Sequence, residues 1–235
     1  MPDQFGIRDG YEALTTAATI ESSFGDYWDE GRVGMSGIYQ WHIYHAASEV
    51  AKEHRLTTLG DFGCGVGTKL TEFFGEMAAA GGVHGFDQPT VAAYLAEHHP
   101  AIKFRPLDLE KPAGTLADDE RFDLTICADV IEHLLDPDPA MDLLWKHTGR
   151  FCVLSTPERD YTRGFDAMKA TKLEHVREWN QAEFRDYVES RGFKIVRHDL
   201  VPKEKLSEAQ EAERAASAER TRLYHGCQLV VCTPA

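Results

Sequence analysis

The sequence predicts an α/β fold in which helices cover both faces of a parallel sheet. Two observations support this prediction. Short apolar segments alternate with segments of helical periodicity from residue 38 to residue 232. Strands that alternate with helices are typical of parallel sheets, because a crossover between parallel strands has room for a helix. In addition, the first apolar segment leads directly into a glycine-rich turn at residues 63–67, as a strand does before a ligand-binding helix N-terminus.

Seven segments have the length and the apolar character of strands. In chain order they are residues 58–61, 83–87, 102–105, 122–128, 151–155, 193–200 and 228–232. Helices are predicted between them, over residues 38–54, 69–80, 89–98, 140–147, 180–191 and 203–222. The helix that begins at Asn180 has the strongest signals. Glu183 completes a capping box there, and Trp179 and Phe184 occupy the positions of a hydrophobic staple.

We interpret residues 1–235 as a single domain, because a chain of this length is sufficient for one complete hydrophobic core. Three segments do not follow the alternation of strands and helices. Residues 1–36 are predicted to form an N-terminal arm or lid, and residues 157–178 a cover loop over the active site. Residues 203–222 are predicted to form a surface helix, inserted before the last strand, that is solvated or makes a dimer contact.

The composition is that of a globular protein with an acidic surplus. Hydrophobic residues make up 43% of the chain and charged residues 27%, and the formal net charge is −14. We therefore expect neither nucleic acid nor a membrane surface as a partner, since both attract basic proteins. None of the five cysteines forms a Cys-x-x-Cys pair, residues 1–10 lack the apolar region of a signal peptide, and no apolar run is long enough to span a membrane. We expect a cytoplasmic monomer or homodimer that acts on a small molecule.

The glycine turn indicates the kind of ligand. Its spacing is Gly-x-Gly-x-Gly, with Asp61 two residues before the first glycine, and not the Gly-x-Gly-x-x-Gly of dinucleotide-binding folds. Glycine lets the backbone approach a ligand, and the N–H groups at a helix start bind its polar groups. An acid on this loop repels a pyrophosphate but attracts an ammonium group, which indicates S-adenosylmethionine, a cofactor with an amino-acid tail. Asp87 lies twenty residues after Gly67, where an acid binds ribose hydroxyls in nucleoside-binding folds.

These motifs resemble those of the class I S-adenosylmethionine-dependent methyltransferases, and the resemblance covers about residues 38–234. It implies a Rossmann-like sheet whose last strand is antiparallel to the others. It also implies that the glycine turn contacts the methionine end of the cofactor, Asp87 the ribose, and Asp108 and Leu109 the adenine. The full set of implied cofactor-binding residues is Asp61, Gly63, Cys64, Gly65, Gly67, Asp87, Gln88, Asp108, Leu109 and Asp129.

A second motif, Asp129-Val130-Ile131-Glu132-His133, follows the fourth strand. In a helical turn residues 129, 132 and 133 share a face, so that two carboxylates and an imidazole can bind one divalent ion. The motif resembles the acid-x-x-Glu-His sequence of two metal-dependent branches of the family, the small-RNA ribose 2′-O-methyltransferases and the ubiquinone-pathway O-methyltransferases. The small-RNA branch adds a histidine in a His-x-x-Glu-Trp context, which residues 175–179 match. The implied ligands of Mg²⁺ or another divalent metal are Asp129, Glu132, His133 and His175.

The sequence thus predicts a methyltransferase that acts on a hydroxyl group of a small polar metabolite. Glu132 and His133 are the predicted catalytic residues, and His133 takes the hydroxyl proton if no metal is bound. Residues 156–160 resemble bacterial methyltransferases of polysaccharide and specialised-metabolite pathways, which implies a sugar or a sugar derivative as the acceptor. Arg159, Arg163 and Lys172 are candidates for binding an anionic group of this acceptor.

Three alternatives remain open from the sequence. An N-methyltransferase acting on a small amine would need less base catalysis and would tolerate the loss of His133. A non-catalytic module that binds S-adenosylmethionine would not need the acids and histidine after the fourth strand. A nicotinamide-dependent dehydrogenase is disfavoured by the spacing of the glycines.

Overall fold

The computed structural model describes residues 5–14, 28–112, 114, 116–217 and 221–235. One seven-stranded sheet forms the centre of this part of the chain. Its strands are β1 (Leu59–Phe62), β2 (Val83–Asp87), β3 (Lys103–Pro106), β4 (Phe122–Ala128), β5 (Thr148–Pro157), β6 (Phe193–Val201) and β7 (Cys227–Pro234).

The strand order in the sheet is β3-β2-β1-β4-β5-β7-β6. The pairs formed among β1 to β5 are all parallel, whereas β7 is antiparallel to both of its neighbours, β5 and β6. The predicted seven-stranded sheet, mostly parallel with its last strand antiparallel, is therefore confirmed. The strand order reverses between β1 and β4, because β2 and β3 lie on one side of β1 whereas β4 and β5 lie on the other. In α/β folds, ligands bind in the crevice at the carboxyl ends of the two strands at such a point.

Helices cover both faces of the sheet, as predicted. Neighbouring residues of a central strand, such as Val153 and Leu154 of β5, belong to two different clusters of buried apolar side chains. None of the helices in the described ranges is both long and apolar enough to cross a membrane. The helices are α1 (Glu30–Met35), α2 (Trp41–His54), α3 (Thr68–Ala79), α4 (Ala92–His98), α5 (Asp138–His147), α6 (Arg159–Arg163), α7 (Gln181–Ser190), α8 (Glu208–Ala216) and α9 (Arg222–His225), with 3₁₀ turns at Pro89–Val91 and Ile131–His133.

The start of α7 follows the sequence prediction in detail. The backbone N–H of Glu183 donates to Asn180 Oδ1 at 3.0 Å, and the N–H of Asn180 donates to Glu183 Oε2 at 3.1 Å. The rings of Trp179 and Phe184 lie 5.8 Å apart, as a hydrophobic staple requires. Two backbone donors are thereby satisfied at a helix end that otherwise leaves them unpaired.

Several element boundaries differ from the prediction, and in three segments a local reason is visible. The helix predicted from residue 38 begins only at Trp41, because Gln40 has a left-handed backbone with φ of 54°. The predicted surface helix 203–222 is shorter, since the Ser207 side chain caps α8 by accepting from Gln210 N, and residues 218–220 lie outside the described residues. The predicted cover loop 157–178 contains the short helix α6, which the Glu158 side chain caps.

The N-terminal residues run across the segment that follows β5. The Trp179 indole N–H donates to the Phe5 carbonyl at 2.8 Å, and the N–H of Leu14 donates to the Val176 carbonyl at 3.0 Å. The side chain of Ile7 is 1% exposed. Residues 1–4 and 15–27 of the predicted arm lie outside the described residues, so its role as a lid remains a prediction.

Candidate functional site

The glycine turn between β1 and α3 needs its glycines. Gly63, Gly65 and Gly67 all have positive φ, at 96°, 56° and 79°, a region that other residues rarely adopt. Space is also short, because a Cβ on Gly63 would lie 2.3 Å from Val130 Cγ2, and one on Gly65 would lie 2.6 Å from the Trp28 ring. The backbone of the turn therefore carries no side chain at Gly63 and Gly65. Both glycines and Trp28 line a cavity.

This first cavity has a volume of about 410 Å³ and opens at the carboxyl ends of β1, β2 and β4. Most of the predicted cofactor-binding residues line it. They are Gly63, Cys64, Gly65, Asp87, Gln88, Asp108, Leu109 and Asp129.

Asp87 connects the glycine turn to the end of β2. Its Oδ2 accepts a hydrogen bond from the Gly65 N–H and its Oδ1 accepts one from the Gln88 N–H, both at 2.7 Å. Burial raises the pKa of Asp87, although these two backbone donors oppose the shift. Asp108, in contrast, is exposed at the cavity rim and accepts from the Glu110 N–H at 2.9 Å. Each carboxylate oxygen retains lone pairs for a ligand hydroxyl or amine.

Asp61 and Gly67 are not on the cavity wall. Asp61 is fully buried behind the turn, where its Oδ2 accepts from the Tyr44 hydroxyl at 2.7 Å. Its Oδ1 has no hydrogen-bond partner among the described residues. Burial raises the pKa of Asp61 to about 7. Tyr44, its hydrogen-bond partner, lies on the cavity wall, and the direct contact of Asp61 with an ammonium group stays a prediction.

Lys69 is a wall residue that the sequence analysis missed. It lies in the first turn of α3, it is a neighbour of both cavities, and its Nζ donates to the Ser36 carbonyl at 2.7 Å. Burial lowers its pKa, while the charges of Asp61 and Asp129 oppose this shift. The helical periodicity of α3 predicts that Lys69 is exposed to solvent. In the structure the Lys69 side chain instead lines both cavities.

A second cavity of about 450 Å³ adjoins the first. Because the two cavities have wall residues in common, a group bound in one can approach a group bound in the other. The shared residues are Trp28, Gln40, Lys69, Asp129 and His133.

Three of the four predicted metal ligands meet at the second cavity. Among the described residues, Glu132, His133 and His175 form a cluster in which one ligand atom from each lies within 4.8 Å of the others. His133 Nε2 lies 4.0 Å from Glu132 Oε1. The cluster therefore brings a residue pair after β4 together with a histidine from the segment after β5.

Asp129 is not a member of this cluster of described residues, and its place in the predicted four-ligand set stays a prediction. It has a left-handed backbone with φ of 54°, and the 3₁₀ turn begins only at Ile131, so the expected helical turn from residue 129 is not formed. The side chain is held elsewhere. Asp129 Oδ1 accepts from the Ser155 hydroxyl at 2.6 Å, and Oδ2 accepts from Gln40 Nε2 at 3.3 Å.

The two histidines are oriented by hydrogen bonds on one side of each ring. His133 Nδ1 lies 2.8 Å from the Glu174 carbonyl, and His175 Nδ1 lies 2.5 Å from Glu178 Oε1. Both partners are acceptors, so we assign the proton to Nδ1 in each ring, which leaves a lone pair on Nε2. An acceptor behind a histidine is the usual support of a metal-binding imidazole.

Glu178 is anchored from several sides. Arg163 donates to it from Nε at 2.8 Å and from Nη2 at 2.7 Å, and the Glu178 N–H donates to the Tyr11 hydroxyl at 3.0 Å. Although burial opposes ionisation, the hydrogen bonds from His175 and Arg163 lower the pKa of Glu178 to about 2. The carboxylate that orients His175 therefore keeps its charge.

Glu132 has the opposite environment. It is 0% exposed, its Oε2 accepts a long 3.4 Å hydrogen bond from Thr156, and its Oε1 has no partner among the described residues. Burial and the nearby Asp129 raise the pKa of Glu132 well above its usual value, and burial lowers the pKa of His133. One unpartnered carboxylate oxygen beside two imidazole lone pairs fits a divalent cation, which would satisfy all three.

The cations predicted to bind an anionic group are placed differently from the prediction. Arg159 is fully buried and donates to Glu183 Oε1 at 2.8 Å, and Arg163 is committed to Glu178. Lys172 does line the second cavity, together with Lys203, which the sequence analysis missed. No local pattern marks Lys203, because it reaches the site from the segment between β6 and α8.

Comparisons with known proteins agree with the fold described above. A family model described as a methyltransferase domain matches residues 44–198. No curated protein matches the chain in sequence.

Three solved structures illustrate the similarity of fold. An S-adenosylmethionine-dependent methyltransferase from Mesorhizobium loti is 19% identical, with a TM-score of 0.56 over 75% of this chain and 90% of the other. Magnesium protoporphyrin IX methyltransferase from Synechocystis PCC 6803, with bound S-adenosylmethionine, is 18% identical, with a TM-score of 0.57 over 95% and 99%. The 1,6-didemethyltoxoflavin-N1-methyltransferase of Burkholderia thailandensis is 16% identical, with a TM-score of 0.59 over 93% and 88%. Identities of this size show a common fold.

Proposed function

The chain belongs to the methyltransferase-domain family, and from that premise we propose that it transfers a methyl group from S-adenosylmethionine to a hydroxyl of a small polar acceptor, with the help of a divalent metal ion. A sugar or sugar derivative is the acceptor class we propose, because a vicinal diol can chelate such an ion. The observation that most supports the metal is Glu132 Oε1, a buried carboxylate oxygen with no partner among the described residues.

The cofactor is proposed to occupy the first cavity. Asp87 is suited to the ribose hydroxyls and Leu109 to the adenine, while the glycine turn lies at the methionine end. The Lys69 ammonium is suited to the carboxylate of the methionine part, which the sequence analysis left without a partner. This orientation directs the sulfonium methyl toward Asp129 and His133, where the two cavities meet.

The acceptor is proposed to occupy the second cavity. Glu132 Oε1 and the Nε2 atoms of His133 and His175 would hold the metal ion, which supplies a Lewis acid that lowers the pKa of a bound hydroxyl. The chain orients these atoms in advance, because Glu178 and the Glu174 carbonyl hold the two rings. Positioning of this kind is the main contribution that a protein can make to a reaction whose methyl donor is already activated.

The transfer is a single in-line displacement. The acceptor oxygen attacks the methyl carbon, the bond from that carbon to sulfur breaks, and its electron pair remains on sulfur, which leaves S-adenosylhomocysteine. We assign the hydroxyl proton to the Asp129 carboxylate, which lines both cavities. If no metal is bound, His133 Nε2 has the lone pair to accept it instead, and the low pKa of His133 that burial causes keeps that atom unprotonated.

Parts of the N-terminal arm and of the segment after β5 are proposed to cover this site. Trp28 lines both cavities and packs over Gly65. Residues 157–178 include Lys172 and His175, which face the second cavity. Closure by these segments would exclude water from the transferring methyl group.

The test is methyl transfer to a panel of hydroxyl and amine compounds, with and without a chelator. We expect the metal-stripped enzyme to lose activity with hydroxyl acceptors and to recover it with Mg²⁺, Mn²⁺ or Co²⁺. A His175→Ala variant should also lose calorimetric binding of Mn²⁺, whereas His98→Ala, on the exposed face of α4, should not. Full activity of the stripped enzyme and of His175→Ala would exclude the metal, and turnover of amines alone would favour the N-methyltransferase.

A further inference from the structure

We propose that Lys172 and Lys203 form an anion subsite in the second cavity, and that the acceptor carries a phosphate or carboxylate group which this subsite binds. The proposal rests on the proposed function in so far as it describes the acceptor. Anion binding itself needs no turnover, so it can be measured separately.

The two lysines are fixed in place by their main chains. The Lys172 carbonyl accepts from the His175 N–H at 3.0 Å, and the Lys203 carbonyl accepts from the Gln40 N–H at 3.0 Å. His175 and Gln40 themselves line the second cavity. The two ammonium groups therefore approach one cavity from separate segments, one after β5 and one after β6, and each segment is tied to a residue of the site.

Neither ammonium group has a hydrogen bond or ion pair within the described part of the chain, whereas the other cations near the site are paired. Arg32 binds Glu174 at 3.1 Å, Lys69 binds a carbonyl, and Lys205 binds Glu72 at 3.4 Å.

The two lysines also act on each other. Both line the wall of the second cavity, so their two positive charges face the same space. Two ammonium groups that face one half-buried space favour an anion bound between them. Such an anion supplies the opposite charge, and it accepts hydrogen bonds from both ammonium groups.

The distribution of charge around the cavity restricts how an acceptor can bind. Asp29, Asp129 and Glu132 repel an anion from the rest of the wall, so the anionic group is directed to the two lysines. The hydroxyl groups of the same molecule then face the cluster of Glu132, His133 and His175. A cavity of about 450 Å³ suits a small molecule, and two cations are too few for a polynucleotide on a protein of net charge −14. We therefore infer a phosphorylated or carboxylated polyol as the acceptor.

Binding is tested without turnover. The protein is stripped of metal, desalted, saturated with S-adenosylhomocysteine, and titrated calorimetrically with inorganic phosphate and, separately, with acetate. We expect phosphate or acetate to bind the unaltered protein, and Lys172→Met or Lys203→Met to weaken that binding by about tenfold or more, since a charge-assisted hydrogen bond contributes that much. The anion that binds more tightly shows whether the acceptor carries a phosphate or a carboxylate group.

Lys205→Met is the matched control, because Lys205 lies two residues from Lys203 but does not line the cavity. Equal binding by all four proteins, or no binding of either anion, would overturn the subsite.

A kinetic comparison separates this proposal from the proposed function. Glucose, glucose 6-phosphate and glucuronate are offered as acceptors, and we expect the anionic compounds to have a KM about tenfold lower, an advantage that Lys203→Met removes. Anion binding that depends on the lysines, in a protein that methylates no hydroxyl compound, would support the subsite and overturn the O-methyltransferase. Methylation of glucose with equal KM for all three compounds would support the transferase and overturn the subsite.

Discussion

The two cavities meet at Asp129 and His133, but the chain builds them in different ways. The first is formed mainly by the glycine turn and by the residues at or directly after the ends of β2, β3 and β4. The second is formed by side chains from segments far apart in sequence, such as Glu132, His175 and Lys203. A wall made from contiguous motifs is recognisable in a sequence, whereas a wall of converging side chains depends on the complete tertiary structure.

Two buried glutamates at the second cavity differ in how their carboxylates are paired. Glu132 and Glu178 are both 0% exposed. Glu178 accepts hydrogen bonds from Arg163 and His175 and has a pKa of about 2, whereas Glu132 has an unpartnered oxygen and a raised pKa. A paired carboxylate of this kind stabilises the fold and orients its neighbours, and an unpaired one is arranged for a ligand.

The largest effect is expected from Glu132→Gln. Loss of the charge should lower kcat/KM with a hydroxyl acceptor by about a thousandfold, or about 4 kcal/mol, because a Lewis acid contributes several kcal/mol to the transition state. Calorimetry with Mn²⁺ should show little or no binding. At neutral pH the metal-free protein should unfold at a higher urea concentration than the wild type, because the raised pKa of Glu132 means that burying this carboxyl costs stability, a cost that glutamine does not carry.

Glu97→Gln is the control for this variant, because Glu97 is an exposed residue of α4. Two results would contradict a ligand-binding role of Glu132: normal binding of Mn²⁺ by Glu132→Gln, or unfolding of Glu132→Gln at a much lower urea concentration than Glu97→Gln. Either result would show that Glu132, like Glu178, has a structural role.

A smaller loss of function and a larger loss of stability are expected from Glu178→Gln. The affinity for Mn²⁺ should fall by about 10-fold to 100-fold, because His175 loses its charged partner. The free energy of unfolding should fall by about 3 kcal/mol, since Arg163 is left without a carboxylate. Urea unfolding and calorimetry of the same sample give both values, and an unchanged stability would contradict the anchoring role.

Asp61→Asn tests a buried carboxyl behind the first cavity. The pKa of Asp61 is 3.8 in the unfolded chain and about 7 in the folded one, so between these pH values the folded protein binds the extra proton. Stability should therefore fall as the pH rises from about 4 to 7, by about 1.4 kcal/mol per pH unit at most. The difference in urea unfolding between wild type and Asp61→Asn across this range isolates this carboxyl, and parallel curves would contradict its high pKa.

The smallest effect is expected from Asp87→Asn. Weaker hydrogen bonds to the ribose hydroxyls should raise the Kd for S-adenosylmethionine by about tenfold, which corresponds to about 1.4 kcal/mol. Binding of Mn²⁺ should be unchanged, because Asp87 does not line the second cavity. Calorimetric titration with each ligand measures both quantities, and a change in metal affinity equal to the change in cofactor affinity would show that the two regions are not independent.

The sequence predicted the residues of the first cavity better than those of the second. Gly63, Asp87 and Leu109 reach the first cavity because the carboxyl ends of parallel strands share one edge of the sheet. Asp129, in contrast, has a left-handed backbone where a helical turn was expected, and its side chain bonds to Ser155 and Gln40, both remote in sequence.

The cationic residues of the second cavity show why the rest was not predictable. Arg159 is an arginine on a polar segment, where solvent exposure is the ordinary expectation, yet it is buried against Glu183. Lys203 lies in a segment without any motif, and on the cavity wall its main chain bonds to Gln40, which is remote in sequence. In both residues the deciding partner is distant in the sequence and has no spacing that would identify it.

The interior position of β7 also determines how the chain reaches its native state. β5 and β6 do not pair with each other, because β7 lies between them, and Cys152 of β5 meets Cys232 of β7 across 80 residues. Such a non-local pairing makes folding slow, and until β7 inserts, one edge of β5 and both edges of β6 are unpaired. The aggregation hazard of this protein during synthesis therefore lies at β5 and β6, far from either cavity, and a chaperone that protects those edges would raise the yield of folded enzyme.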